Sequence, residues 1–167
     1  KLSKSQAFAY NFAAFFCAIP QWLWNMLLRF GKFCKNGVIA INIREDDRVI
    51  GVSLTNGHNE VVIANRNGRA IRFNEDQVRT MGRNATGVSS LVLDQDSEDE
   101  VIGMAVINDV ENETILVLSD QGFGKRTDVD EYRKTSRHAK GVKTLNITDK
   151  TGKVVSLLVV KDEDDLM

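Results

Sequence analysis

The chain of 167 residues carries 22 basic and 23 acidic side chains, a formal net charge of −1 and 43% hydrophobic residues. That is about one domain's length with ample material for a core, and the balanced charge excludes an evenly basic nucleic-acid binder. Two cysteines without CxxC spacing and two distant histidines, His58 and His138, give neither a redox framework nor a metal site.

The first stretch, residues 1–34, stands apart. Up to residue 36 it holds both tryptophans, both cysteines, the one proline and nine of the twelve aromatics, with Lys1, Lys4, Arg29, Lys32 and Lys35 and no acid. Its apolar run from Ala7 to Phe30 is interrupted by Asn11, Pro20, Gln21, Asn25 and Arg29, and no small-x-small cleavage pattern follows. Three readings stand open: a leader foreign to the domain (vector-derived or read in another frame), a divergent packed element, or a membrane anchor. It shares no register with the rest of the chain and carries no functional weight.

From residue 37 the chain repeats itself. GVIAINI (37–43), GVSSLVL (87–93) and GVKTLNI (141–147) share one frame, and RVIGVSL (48–54), EVIGMAV (100–106) and KVVSLLV (153–159) share another. At a constant offset of 54, residues 61–93 align with 115–147, placing Gly68 on Gly122, Arg72 on Arg126, Arg79 on Arg133, Arg83 on Arg137 and Gly87 on Gly141. A period near 50 residues is that of arrays and propellers. The repeat divides 35–167 into a half unit at 37–55, whole units at 59–108 and 112–160, and a stump at 165–167 where a further strand would begin.

Within each unit the signals are those of strands. VVIAN (61–65) and ILVLS (115–119) are β-branched apolar runs, each followed by a glycine turn at Asn67-Gly68 or Gln121-Gly122. Ile71-Arg72-Phe73 then alternates, so Arg72 is expected to face solvent. GVSSLVL with VIGMAVI, and GVKTLNI with VVSLLVV, add two strands per unit. About four strands per unit predict an all-β array whose units bury their faces against their neighbours.

The strings NGVIAINIREDD, NGRAIRFNEDQVRTMGRNATGV, GFGKRTDVDEYRKTSRHAKGVKTLNITDKTGKVV and VVKDEDDLM resemble the C-terminal domain of the DNA gyrase A protein, over about 35–167. The resemblance implies a β-pinwheel, a propeller-like ring of four-stranded blades that exchange strands, with about two full blades plus partial ones here. It implies a non-catalytic module that binds and wraps double-stranded DNA, supporting ATP-dependent negative supercoiling by a type II topoisomerase. It further implies partnership with the rest of gyrase A and, through it, with gyrase B in a heterotetramer in the bacterial cytoplasm at the nucleoid, with no cofactor in this region. The corresponding domain of topoisomerase IV is the near alternative. At His138-Ala139, where relatives often carry Gly-Gly, this sequence departs from the pattern.

Charge is segregated along each unit in a way that fits such a module. Arg66, Arg69, Arg72, Arg79 and Arg83 crowd 66–83; Lys125, Arg126, Arg133, Lys134, Arg137, Lys140 and Lys143 crowd 125–143; the acids gather at 94–113 with no base among them. All of these cations except Arg66 are the candidate DNA-binding residues. Cations with few aromatics suit a duplex held by its phosphates rather than a strand stacked on rings. The competing readings are a solvated face or edge-strand charges that block aggregation, and an interaction scaffold working through its acidic edge.

Other candidates are weak. Tyr132, aligned with the apolar Val78, is expected in the core rather than as a nucleophile. DQDSEDE lacks the glycine turn of a calcium loop and reads as a solvated turn. Gly57-His58 is followed by no Trp-Asp of a WD40 blade, and the chain contains no GxxxxGK[ST] loop for a nucleotide.

Overall fold

The computed structural model describes residues 41–44, 47–81, 85–94 and 99–165. The leader at 1–34, residues 37–40 of the half unit, Arg83 and the tip of the acidic turn at 95–98 lie outside the described residues, as does all of the stump but Asp165.

Among the described residues seven strands form two antiparallel sheets: β1 (Glu60–Asn65), β2 (Arg69–Asn74), β3 (Val101–Ile107), β4 (Thr114–Ser119), β5 (Gly124–Asp128), β6 (Val142–Lys143) and β7 (Val154–Val160). The order is β3-β1-β2-β6 in one sheet and β5-β4-β7 in the other. The architecture is all-β. The runs VVIAN and ILVLS become inner strands of their sheets: β1 pairs with β2 and β3, and β4 with β5 and β7, in matching registers.

The third run of each unit behaves differently from the expected full strand. GVKTLNI contributes only β6, and it pairs with β2 of the preceding unit, Val142 opposite Ala70 and Lys143 opposite Arg69. GVSSLVL makes a single bridge, Leu91 to Ala139. The stretch at 48–54 belongs to no strand. The units therefore exchange strands, and one unit's sheet is completed by the next.

Two cores follow from the two-residue alternation of β1. Val61 and Ile63 join Ile71, Phe73, Val78, Leu91 and Leu93 on one face. Val62, Ala64 and Ala70 face the other way, onto Ile115, Val117 and Leu157 of the second sheet and onto Val129 and Tyr132, which follow β5. With both faces covered, every residue of β1 is buried.

Gly68 and Gly122, equivalent by repeat, both adopt positive φ, +75° and +79°. A Cβ on Gly68 would lie 2.6 Å from the carbonyl oxygen of Leu145, in the exchanged segment, whereas one on Gly122 would meet nothing within 4 Å. Gly122→Ala should therefore cost only the left-handed strain, about 1–2 kcal/mol. Gly68→Ala should cost roughly 1–3 kcal/mol beyond that for displacing the exchanged strand. Urea unfolding of the two variants checks the difference.

Candidate nucleic-acid interface

Each unit builds the same device after its second strand. The chain leaves β2 or β5, makes a one-turn 3-10 helix (Glu75–Gln77 or Val129–Glu131), and plants an apolar anchor whose N–H bonds back to the turn: Val78 to Glu75 at 2.8 Å and Tyr132 to Val129 at 3.0 Å. Val78 and Tyr132 are buried, so the residue that follows each, Arg79 or Arg133, is turned outward and is exposed. The repeated arginines thus project for a local reason. Tyr132 is core, as its alignment with Val78 requires; burial raises its phenol above the ordinary value.

Lys143 sits directly opposite Arg69 across the β2–β6 pair, which puts two exposed cations on one face of adjacent strands. Like charges so placed repel, by up to about 1 kcal/mol. Arg69, Arg79, Lys125, Arg133, Lys140 and Lys143 are all exposed, and none forms an ion pair among the described residues.

The other candidates have partners. Arg137 is half-buried, its Nε donating to the Gln77 carbonyl at 2.8 Å and one Nη to that of Ser89 at 3.2 Å, which ties its unit to the preceding one. Lys134 pairs with Glu60, and Arg126 with Asp162 and, through Nε, with Thr114 Oγ1 at 2.6 Å. Arg83 lies outside the described residues.

Arg72 corrects the sequence reading most sharply. It is 3% exposed rather than solvent-facing. Its Nε donates to Glu60 Oε2 at 2.5 Å, and Nη1 donates to the carbonyls of Val129 at 2.8 Å and Tyr132 at 3.2 Å. Alternation does turn Arg72 away from Ile71 and Phe73, but that side is covered by the following unit. Arg72 cannot reach a phosphate and leaves the DNA-binding set. Burial raises the Glu60 carboxyl, but Lys134 and Arg72 outweigh it and hold the group below its ordinary value.

The acidic stretch is also more structural than a solvated turn. Asp99 is buried and accepts from Asn65 Nδ2 at 2.6 Å and the Asn67 N–H at 3.2 Å, bracing the β1–β2 turn. Glu113 is buried and accepts from the Asn108 N–H at 2.9 Å. Glu100 bonds Arg66 at 3.0 Å. At His138 the backbone takes φ 62°, the conformation a glycine would favour, with Nδ1 3.0 Å from Ser89 Oγ.

Comparison with known proteins places this geometry. The DNA gyrase C-terminal domain, beta-propeller family matches residues 35–56, 59–108 and 113–161. The chain belongs to that family. It is 41% identical over 141 residues to the DNA gyrase A protein of Staphylococcus epidermidis strain ATCC 12228 and 42% identical over the same length to that of Staphylococcus aureus strain MRSA252, covering 84% of this chain in each case. It spans only 16% of those relatives. Among solved structures it is similar to the C-terminal domain of DNA topoisomerase IV, with TM-score 0.68, 30% identity and coverage of 74% of this chain and 38% of that one. It is likewise similar to a DNA gyrase A C-terminal domain, with TM-score 0.65, 27% identity and coverage of 80% and 44%. Both sheets thus belong to a propeller-like domain of a DNA gyrase A C-terminal module. Among the described residues no helix is long and apolar enough to cross a membrane.

Proposed function

We propose that this region wraps duplex DNA for a gyrase-type topoisomerase, gripping phosphates through Arg69, Lys143, Arg79, Arg133, Lys125 and Lys140. The observation that carries the reading is the pairing of Lys143 with Arg69. The fold sets two cations side by side and gives them no acid among the described residues, a cost that a polyanion would remove. The repeated Arg79 and Arg133 extend the same logic from one unit to the next, so that each unit offers phosphate contacts in register with the repeat. A track of this kind offsets the few kcal/mol needed to bend a duplex smoothly. It reads no bases.

An interaction scaffold working through the acidic stretch is less well supported, because Asp99 and Glu113 are buried and used to brace turns. In the full-length protein the chemistry of strand passage, ATP hydrolysis and contact with gyrase B would reside outside this region. Wrapping itself needs no cofactor here, and a cytoplasmic, nucleoid-associated setting follows from the role. Removing the region should abolish negative supercoiling while leaving DNA cleavage and some relaxation; complete loss of cleavage would contradict that division of labour.

The test on the chain itself is fluorescence anisotropy with two duplexes of unrelated sequence. Affinity should be the same for both and fall with salt at a log–log slope approaching about −5 if all six cations engage phosphates. Sequence-dependent affinity, or a slope near zero, would remove the proposal.

A further inference from the structure

An exposed side chain at the seam between the two whole units is held in a conformation that its residue type disfavours. His138 has φ 62°, and among the described residues it is the one non-glycine at positive φ. That region is costly for a residue with a Cβ, and such outliers persist only where the surrounding structure over-determines them. Here the determinants come from the preceding unit. The His138 N–H donates to the Ser90 carbonyl at 2.6 Å, and the Val92 N–H to the Ala139 carbonyl at 3.0 Å. Just before it, Arg137 is fixed to the carbonyls of Gln77 and Ser89.

The ring is oriented as well as the backbone. Nδ1 lies 3.0 Å from Ser89 Oγ. A hydroxyl both donates and accepts, so Ser89 holds a neutral imidazole by donating to Nδ1 and an imidazolium by accepting from it. The side chain is exposed, and Nε2 has no hydrogen-bond partner among the described residues.

The surroundings are cationic. Residues 132–148 contain no acid, and Arg137 and Lys140 flank His138. The segment 85–93, to which it bonds, carries no ionisable side chain, with Asp94 following at its end. The loop that Arg137 ties down brings Arg79 and Asp76, both exposed, and Glu75, which is buried.

We propose that His138 is a further phosphate contact of this module, one that a proton switches on: Ser89 aims the ring, and the imidazolium Nε2–H donates to a duplex phosphate beside Lys140. This rests on the wrapping reading and adds to it a dependence on pH. The charge of an imidazole ordinarily changes between about pH 5 and pH 8. On acidification the contact therefore becomes a full cation and releases a counterion from the duplex as Lys or Arg does. By linkage, DNA binding and protonation at this site favour each other.

The test is a salt titration of fluorescence anisotropy on the full chain with one duplex, at about pH 8 and at about pH 5.5, for the parent, His138→Asn, His138→Gly and His58→Gln. Asn and Gly both accept positive φ, so the two His138 substitutions keep the backbone and remove the titrating ring. Circular dichroism confirms the fold, and if one of the two does not fold the other carries the comparison. On acidification the parent's log–log slope should steepen by about 0.9 and its affinity at about 0.1 M salt should rise roughly eightfold. His58→Gln, in the turn before β1, should match the parent, and both His138 variants should keep one slope at the two pH values. A parent slope that does not change with pH, or a steepening that survives in a folded His138 variant, overturns the proposal and leaves the wrapping reading in place. Absence of salt-dependent binding at either pH would remove both.

Discussion

Arg72→Ala should destabilise the fold by about 3–5 kcal/mol, the loss expected when one member of a buried ion pair is removed and its partner stays behind. Glu60 would be left nearly buried with only the exposed Lys134 to offset it, and the carbonyls of Val129 and Tyr132 would lose their shared donor. Because Arg72 lies in one unit and those carbonyls in the next, the damage should fall on the coupling between units. Arg126→Ala, at the equivalent but exposed position, should cost less than about 1 kcal/mol. Urea unfolding followed by circular dichroism measures both. Near-equal effects would show that Arg72 is not the clasp between units.

The same clasp makes stability depend on pH in a definite sense. The Glu60 carboxyl is held below its ordinary value, so its contribution is complete above the unfolded value, for which the reference is 4.5, and is lost as pH falls through the lower folded value. The stability gap between the parent chain and Glu60→Gln should be constant near neutrality and close as pH drops below that reference. A gap that widened on acidification would mean that Glu60 is not stabilised as the carboxylate.

The strands were legible in the sequence because β1 and β4 are short, β-branched and followed by glycine turns. The repeat itself was legible because Gly68 and Gly122, or Arg79 and Arg133, recur at one offset. The side chains on β2 were not. Alternation shows that Arg72 points away from Ile71 and Phe73, but not whether that side meets water, and the covering residues Val129 and Tyr132 come from the following unit. For the same reason Lys134 and Arg126 read as free cations, although their partners Glu60 and Asp162 lie far along the chain. Asp99, in DQDSEDE, read as part of a solvated turn because an acid that braces a turn and one that faces solvent have the same sequence signature. Arg79 and Arg133 remained outward because the buried anchors before them, Val78 and Tyr132, set their direction locally.

The largest effect on binding should come from removing the unpaired cations together. If Arg69, Lys143, Arg79 and Arg133 each neutralise a phosphate, replacing all four with alanine should cut duplex affinity by roughly a thousandfold at 0.1 M salt, since each contact contributes about 0.9 to the log–log slope. Stability should change little, because all four side chains are exposed, and the Arg69–Lys143 repulsion is relieved.

The decisive measurement is the slope of log affinity against log salt for the parent chain, the four-residue variant and Asp96→Asn, by fluorescence anisotropy with one duplex. The variant should lose between three and four units of slope, and Asp96→Asn should keep the parent's value. A four-residue variant that binds with the parent's affinity and slope at every salt concentration would contradict the assignment of this edge to DNA.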